Sequence, residues 1–376
     1  MPLYCRQQVS TCLHSKIQAV IGRHADMPKI VSATAAMPGH VYSQDDIKAA
    51  VSRLFAHEEA EFKRALTVFD NSRITERQFM MPVEWYLSPR SAAERNRIYR
   101  EKGLELALMA ARDCLAKAGC NPEEINAIIF VSSTGIATPT IDTHIINDLG
   151  MKPSVVRLPL WGLGCAGGVA GVARACDYCL GHPRARVLVV ALECCSLNFI
   201  ASDLSKKNLV AASLFADGAA AALVVGSEVP TKGPRYVASS SHLFPDSYRI
   251  MGWDIDEDGL SLVLSPKLPA IVRRELPSLA VDFLANCGLA LGDVAHYITH
   301  PGGAKVIDAY RDALGLYNEE LMLTEEALSL HGNVSSVSVL VVLEKWLQSE
   351  KADSPGYALM SGFGPGFSAE LLLFEA

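Results

Sequence analysis

The sequence contains no run of basic residues, no apolar stretch of bilayer-spanning length and no repeated cysteine pairs at zinc-ligand spacing. Its formal net charge is -7, so nucleic acid is not expected as its main partner. A few local Lys and Arg would still suffice to steer an anionic small molecule. The most apolar stretches, VLVVALECC and GAAAALVVG, are far too short to span a membrane and read as buried strands. The first residues, MPLYCRQQVSTCLHSKIQAVIG, lack a continuous apolar core of signal-peptide length, which points to a cytoplasmic protein. Ten cysteines are present, singly or in irregular pairs. Cys176 and Cys179 form a C-x-x-C inside ARACDYCLG, which reads as a helix with two half-buried thiols, so no metal is expected there. Most of the cysteines read as small core hydrophobes in a reducing compartment.

What is present is a large apolar fraction. Half of the 376 residues are hydrophobic and a fifth are charged, enough for two core-forming units or one two-lobed domain. Residues 1–27 read as an extension. From residue 28, PKIVSATAAMPGHVYSQDDIKAAV reads as a strand, a Pro-Gly turn and a helix capped by Ser43, with acids in its first turn. A charged helical region is expected from about 45 to 115, ending at the natural stop Gly119.

The chain then repeats itself. NPEEINAIIFVSSTG and LAVDFLANCGLALGDVAHYITHPGG each end as turn, buried strand and loop. LPLWGLGCAGGVAGVARACDYCLG and LSLHGNVSSVSVLVVLEKWLQS each read as a short strand, a Gly turn and a helix; ARVLVVALECC and GYALMSGFGPG are each a strand running into a loop. Two halves, 28–230 and 231–376, therefore share one βαβα-type plan, which predicts a duplicated α/β fold with a pseudo-twofold axis. Cys165 and Asn333 occupy corresponding places, between a Gly turn and a helix start, so that axis would bring the two helix starts together.

Cys165, in GLGCAGG, has glycines that permit close substrate approach and a helix dipole that favours a thiolate, as would a neighbouring imidazolium. A thiolate attacks an acyl thioester and carries the acyl chain. His300, in ITHPGG, is held extended by Pro301 and could pair with that sulfur. Asn333, in HGNVSS, could offer its amide to a developing enolate oxygen. Each also has a plain structural explanation: a buried helix-start cysteine, a satisfied loop histidine and an N-cap asparagine.

Taken together, GCAGG, SLFADGAAA, HPGG, GN with its Ser-rich helix start, and GFGPG, in this order, resemble the chalcone synthase-like superfamily, the type III polyketide synthases. The resemblance spans roughly residues 28–376. It implies a thiolase-like α/β fold in duplicated αβαβα layers, a homodimer, acyl-CoA starters, malonyl-CoA extenders and no bound cofactor or metal. It also implies Cys165 as nucleophile and His300 with Asn333 as the decarboxylation pair. Phe215 matches a gatekeeping aromatic, although a core Phe before a strand explains it too. Gly364, within GFGPGF, matches the loop that shapes the cyclisation cavity. Ser133, Cys195 and Asn198 fall where plant members often carry threonines. Leu262 stands where plant enzymes have a second gatekeeping Phe, and Trp253 lies near a plant glycine. This resculpted wall points away from an aromatic starter and toward a fatty acyl-CoA, with an alkylpyrone or alkylresorcinol as product. Lys63 and Arg64, with Arg73 behind them, are the basic residues expected at the CoA phosphates. The competing readings are a ketoacyl-acyl carrier protein synthase of the initiating type, a Cys-His thioester hydrolase and a non-catalytic acyl-binding paralogue.

Overall fold

A computed structural model describes residues 27–54, 65–203 and 205–376. The expected N-terminal extension, but for its last residue, lies outside these residues, as do Lys63 and Arg64. Nine strands form the main sheet: β1 (Lys29–Ala36), β4 (Ala127–Ser132), β5 (Val156–Trp161), β6 (Arg186–Cys194), β7 (Asp217–Val225), β8 (Arg235–Leu243), β11 (Val294–Thr299), β12 (Tyr357–Gly364) and β13 (Ser368–Glu375). Their spatial order is β11-β12-β13-β8-β1-β7-β6-β4-β5. Two ribbons stand apart: β2 (His40–Ser43) with β3 (Glu76–Phe79), and β9 (Met251–Asp256) with β10 (Gly259–Leu264).

The strand pairing repeats. β4 and β6 are parallel, and β7 and β1 follow antiparallel; β11 and β12 are parallel, and β13 and β8 follow antiparallel. The two sets meet at a single residue pair, Lys29 opposite Arg235. β4, β6 and β7 are buried along their length, because both of their faces are covered.

The longer helices are α1 (Gln44–Leu54), α2 (Ala92–Ala118), α3 (Asp142–Leu149), α4 (Gly167–Gly181), α5 (Lys206–Leu214), α6 (Leu268–Asn286), α7 (Ala304–Leu314), α8 (Met322–His331) and α9 (Ser336–Gln348). α4 and α9 form a central layer, touching each other and strands of both sets. That position explains their small and apolar sequences: Val169, Val172, Ala173 and Cys176 of α4 and Val337, Leu340 and Val342 of α9 are fully buried. α2 covers β1, β6 and β7 from one outer side, and α6 and α7 pack together in a second core on the other. The order helix, sheet, helix, sheet, helix is thus set by which segments are apolar on all faces and which on one.

Ser43 caps α1 as expected, its Oγ accepting from the Asp46 N–H at 3.1 Å, and α2 ends where Gly119 turns left-handed at φ 61°. Two expectations fail. The region from 45 to 115 is not continuously helical: β3 interrupts it, pairing with β2 to bury Arg77, Gln78 and Phe79. And LSLH is not a strand. It is the last turn of α8, whose MLTEEALSLH carries its buried residues at helical spacing, so β5 has no counterpart in the second set.

Candidate active site

The N-terminal ends of α4 and α9 meet. A Cβ on Gly168 would lie 2.2 Å from the Ser336 backbone oxygen, so the helices cross at backbone contact. Cys165 precedes α4 in a single 3-10 turn, Gly164–Ala166. Gly164 adopts φ 47° and its N–H donates to Ser133 Oγ at 2.9 Å. The end of β12 presses on this turn. A Cβ at Gly364 would come within 2.3 Å of the Leu163 carbonyl oxygen, and one at Gly164 within 2.7 Å of Pro365 Cδ. Ser133 and Gly364 therefore brace the cysteine turn from behind.

Asn333 follows α8 across Gly332. Its Nδ2 donates to the Gly302 carbonyl at 3.1 Å and its Oδ1 accepts from the Ser335 N–H at 2.8 Å. It is not the N-cap of α9. Ser335 holds that place, in the unusual conformation φ 48°, ψ -127°. The Ser335 hydroxyl lies 3.8 Å from Cys165 Sγ, and the Asn333 amide also reaches the sulfur. His300 follows β11, its N–H donating to the Ser361 carbonyl at 2.9 Å. Gly302 packs beside its ring: a Cβ there would lie 3.4 Å from His300 Cδ2. Asn333 thus reaches Cys165 on one side and Gly302, beside the His300 ring, on the other, and all three side chains are nearly inaccessible to solvent.

The electrostatics differ from expectation. Burial pushes the Cys165 thiol up to about 12; Ser335, Asn333 and the cysteine's own backbone pull only partly the other way. Burial lowers His300 to about 3, and neither ring nitrogen has a hydrogen-bond partner among the described residues. Both shifts favour the neutral thiol and the neutral imidazole over an ion pair. A neutral imidazole and a carboxamide are suitable donors to an oxyanion, because both stabilise charge without ionising.

Phe215, Cys195, Asn198, Leu262 and Trp253 line an apolar pocket together with Ile47, Val51, Val83 and Ala211. Phe215 stands at its junction with the site, in a backbone bridge to Asn333. Ser133 and Gly364 do not line this pocket. Arg73 is committed elsewhere, donating to both carboxylate oxygens of Asp308 at 2.9 and 3.0 Å. Lys207, in the KKN start of α5, lines the pocket and was missed in the sequence.

Other missed groups surround the nest. Glu193 is fully buried and accepts from the Ser336 hydroxyl at 2.6 Å, the Thr134 hydroxyl at 2.8 Å and the Ser133 N–H at 3.1 Å. Burial raises it to about 7 despite these bonds. Asp217, raised by burial to about 6, accepts from the Met80 N–H at 2.7 Å and the Ser196 N–H at 2.8 Å. Both were signalled by a lone carboxylate in an otherwise apolar strand, which has to be satisfied internally. Cys176 and Cys179 are free thiols inside α4, buried fully rather than by half. Among the described residues no three His, Cys, Asp or Glu side chains gather as a metal centre would need.

Sequence models of the family described as chalcone and stilbene synthases match the chain over residues 21–229 for the N-terminal domain and 235–376 for the C-terminal domain. A "Putative chalcone synthase" of Bacillus subtilis (strain 168) is 38% identical over 360 residues, covering 93% of this chain and 99% of that protein. The "Alpha-pyrone synthesis polyketide synthase-like Pks18" of Mycobacterium tuberculosis is 31% identical, covering 90% and 88%. Among solved structures, the 1,3,6,8-tetrahydroxynaphthalene synthase of Streptomyces coelicolor A3(2) superposes with a TM-score of 0.88 at 27% identity, covering 92% of this chain and 99% of that one.

Proposed function

The chain belongs to the chalcone and stilbene synthases, acyltransferases of the type III polyketide class with a thiolase-like α/β fold, and on that footing we propose that Cys165 carries the growing chain while His300 and Asn333 hold the enolate oxygen. The observation that supports this assignment is the meeting of the Cys165 thiol with Ser335 and the Asn333 carboxamide where two central helix ends cross, with that carboxamide bonded to the carbonyl of Gly302, which packs against the His300 ring.

Cys165 takes an acyl group from a CoA thioester: its sulfur replaces the CoA sulfur on the acyl carbon, and the thiol proton passes to the departing CoA sulfur, so that CoA leaves as the free thiol. Malonyl-CoA then loses CO₂, and the enolate oxygen takes hydrogen bonds from His300 and Asn333. The carbanion attacks the Cys165 thioester, and the lengthened chain returns to the sulfur. No base is needed to form the carbanion, since decarboxylation generates it; the protein supplies oriented donors in a dry cavity.

The starter is a fatty acyl-CoA and the product an alkylpyrone or alkylresorcinol. The apolar wall supports this, with Leu262 joining Phe215, Cys195 and Asn198 around one pocket. So does the likeness to a protein named for alpha-pyrone synthesis. Burying a chain there contributes on the order of 0.8 kcal/mol per methylene. Lys63 and Arg64 bind the CoA phosphates. The protein works as a cytoplasmic homodimer, and residues 28–230 and 231–376 are its two related lobes. β5 supports the dimer: it is one of the two edge strands of the main sheet, with Val156 and Trp161 exposed, as is Ile136. No helix among the described residues is long and apolar enough to cross a membrane.

The test is incubation with a panel of acyl-CoAs and labelled malonyl-CoA, without any carrier protein. Labelled pyrones or resorcinols with acyl groups mapped to Cys165 are expected. Turnover only with an acyl carrier protein would move the assignment to a ketoacyl synthase, and acylation of another cysteine would overturn the site.

A further inference from the structure

Arg77, on β3, is completely buried, yet no carboxylate lies at ion-pair distance from it among the described residues. Asp217 is the acid that acts on it electrostatically, but the Asp217 oxygens are engaged by Met80 and Ser196. Burying a guanidinium without an ion partner is unfavourable, so stability alone does not account for it. Nη2 has no hydrogen-bond partner among the described residues.

The two bonds that Arg77 does make lead to the active site. Nη1 donates to the Phe215 carbonyl at 2.8 Å, and Nε donates to Gln44 Oε1 at 3.1 Å. Gln44 in turn donates from Nε2 to the Ser213 carbonyl at 2.9 Å. Together they grip the backbone on both sides of Leu214. Between those grips the two lobes cross: the Asn333 N–H donates to the Leu214 carbonyl at 2.8 Å, and the Ala216 N–H donates to the Asn333 carbonyl at 3.0 Å. Gly332 makes room for the arrangement. It has φ 64°, and a Cβ there would lie 2.7 Å from Arg77 Cδ. The guanidinium also sits over the Phe79 ring, 5.3 Å from its centroid.

We propose that Arg77 is a positioning residue of the condensation reaction: by clamping the crossing of residues 213–216 with Asn333, it sets the Phe215 ring and the Asn333 amide relative to Cys165. Arg77 touches no substrate; it acts through the backbone that carries two residues that do. The proposal rests on the reading of Asn333 as an enolate donor.

The experiment compares wild type with Arg77→Lys, Arg77→Met and Gln44→Ala. Lysine keeps a charge but cannot serve Phe215 and Gln44 together, and Gln44→Ala removes one grip while leaving Arg77 in place. Condensation is expected to fall at least about tenfold in Arg77→Lys, with the KM for malonyl-CoA within about threefold of wild type; Gln44→Ala falls less. Iodoacetamide labelling of Cys165 stays within about threefold, showing an intact nucleophile turn. Amide exchange quickens at 213–217 and 332–336 but not in β6. Wild-type kcat in all three variants overturns the proposal. So does loss of activity in Arg77→Lys and Gln44→Ala only in step with global unfolding and uniform exchange. Should wild type itself fail to condense, the functional reading falls, and the exchange pattern still decides whether the clamp exists.

Discussion

At the scale of single residues, burial governs the protonation of two of the three proposed site residues, Cys165 and His300. Cys165→Ala is expected to abolish acylation by any acyl-CoA, measured by intact-protein mass. His300→Ala and Asn333→Ala remove one oxyanion donor each; CO₂ release from malonyl-CoA falls on the order of 100-fold while starter loading on Cys165 persists. Because burial pushes the Cys165 thiol up to about 12, the thiolate is a small fraction at neutral pH and grows with pH. Iodoacetamide labelling of the free enzyme therefore rises by about tenfold per unit between pH 6 and 9. A plateau over that range would show a thiolate-imidazolium pair instead. Ser335, whose hydroxyl favours the thiolate, adds a second check: Ser335→Ala labels more slowly at each pH.

At the scale of elements, the crossing of α4 and α9 is what brings two distant sequence segments together. Gly168 is required there, and Gly168→Ala is expected to cost about 1–3 kcal/mol or more, read from urea unfolding, because the added methyl meets the Ser336 carbonyl. The β9–β10 ribbon carries Leu262 and Trp253 over the apolar pocket. Leu262→Phe fills that wall and shifts the starter preference toward shorter acyl chains, measured as the ratio of kcat/KM for two CoA esters differing in chain length. An unchanged ratio would remove the ribbon from starter selection.

At the scale of the whole molecule, two strand sets repeat one pairing pattern, but only the first carries a fifth, edge strand. Its unpaired backbone and its exposed Val156 and Trp161 need cover, which a second copy of the chain would give. Trp161→Glu is expected to convert a dimer to a monomer at micromolar concentration in light scattering, and to lower Tm by removing the linkage of folding to association. A dimer that survives this change would place the interface elsewhere.

The sequence by itself determined the periodic elements and their repeat. β4 with β11, α4 with α9 and β6 with β12 were legible as pairs because buried strands and small-residue helices leave local patterns. The ordered motifs around Cys165, His300 and Asn333 were legible for the same reason: glycine turns and helix starts are local. β3 was not, since ERQF has no apolar alternation and becomes a strand only by pairing with β2. The helical fate of LSLH was set by the residues before it. Tertiary structure alone decided the charge states, because desolvation depends on what covers a group and not on its neighbours in sequence. It alone decided that Ser133 and Gly364 brace the cysteine turn, that Ser335 meets the sulfur, and that a buried arginine grips the chain beside Asn333. Those contacts join residues far apart in the chain, and no local pattern records them.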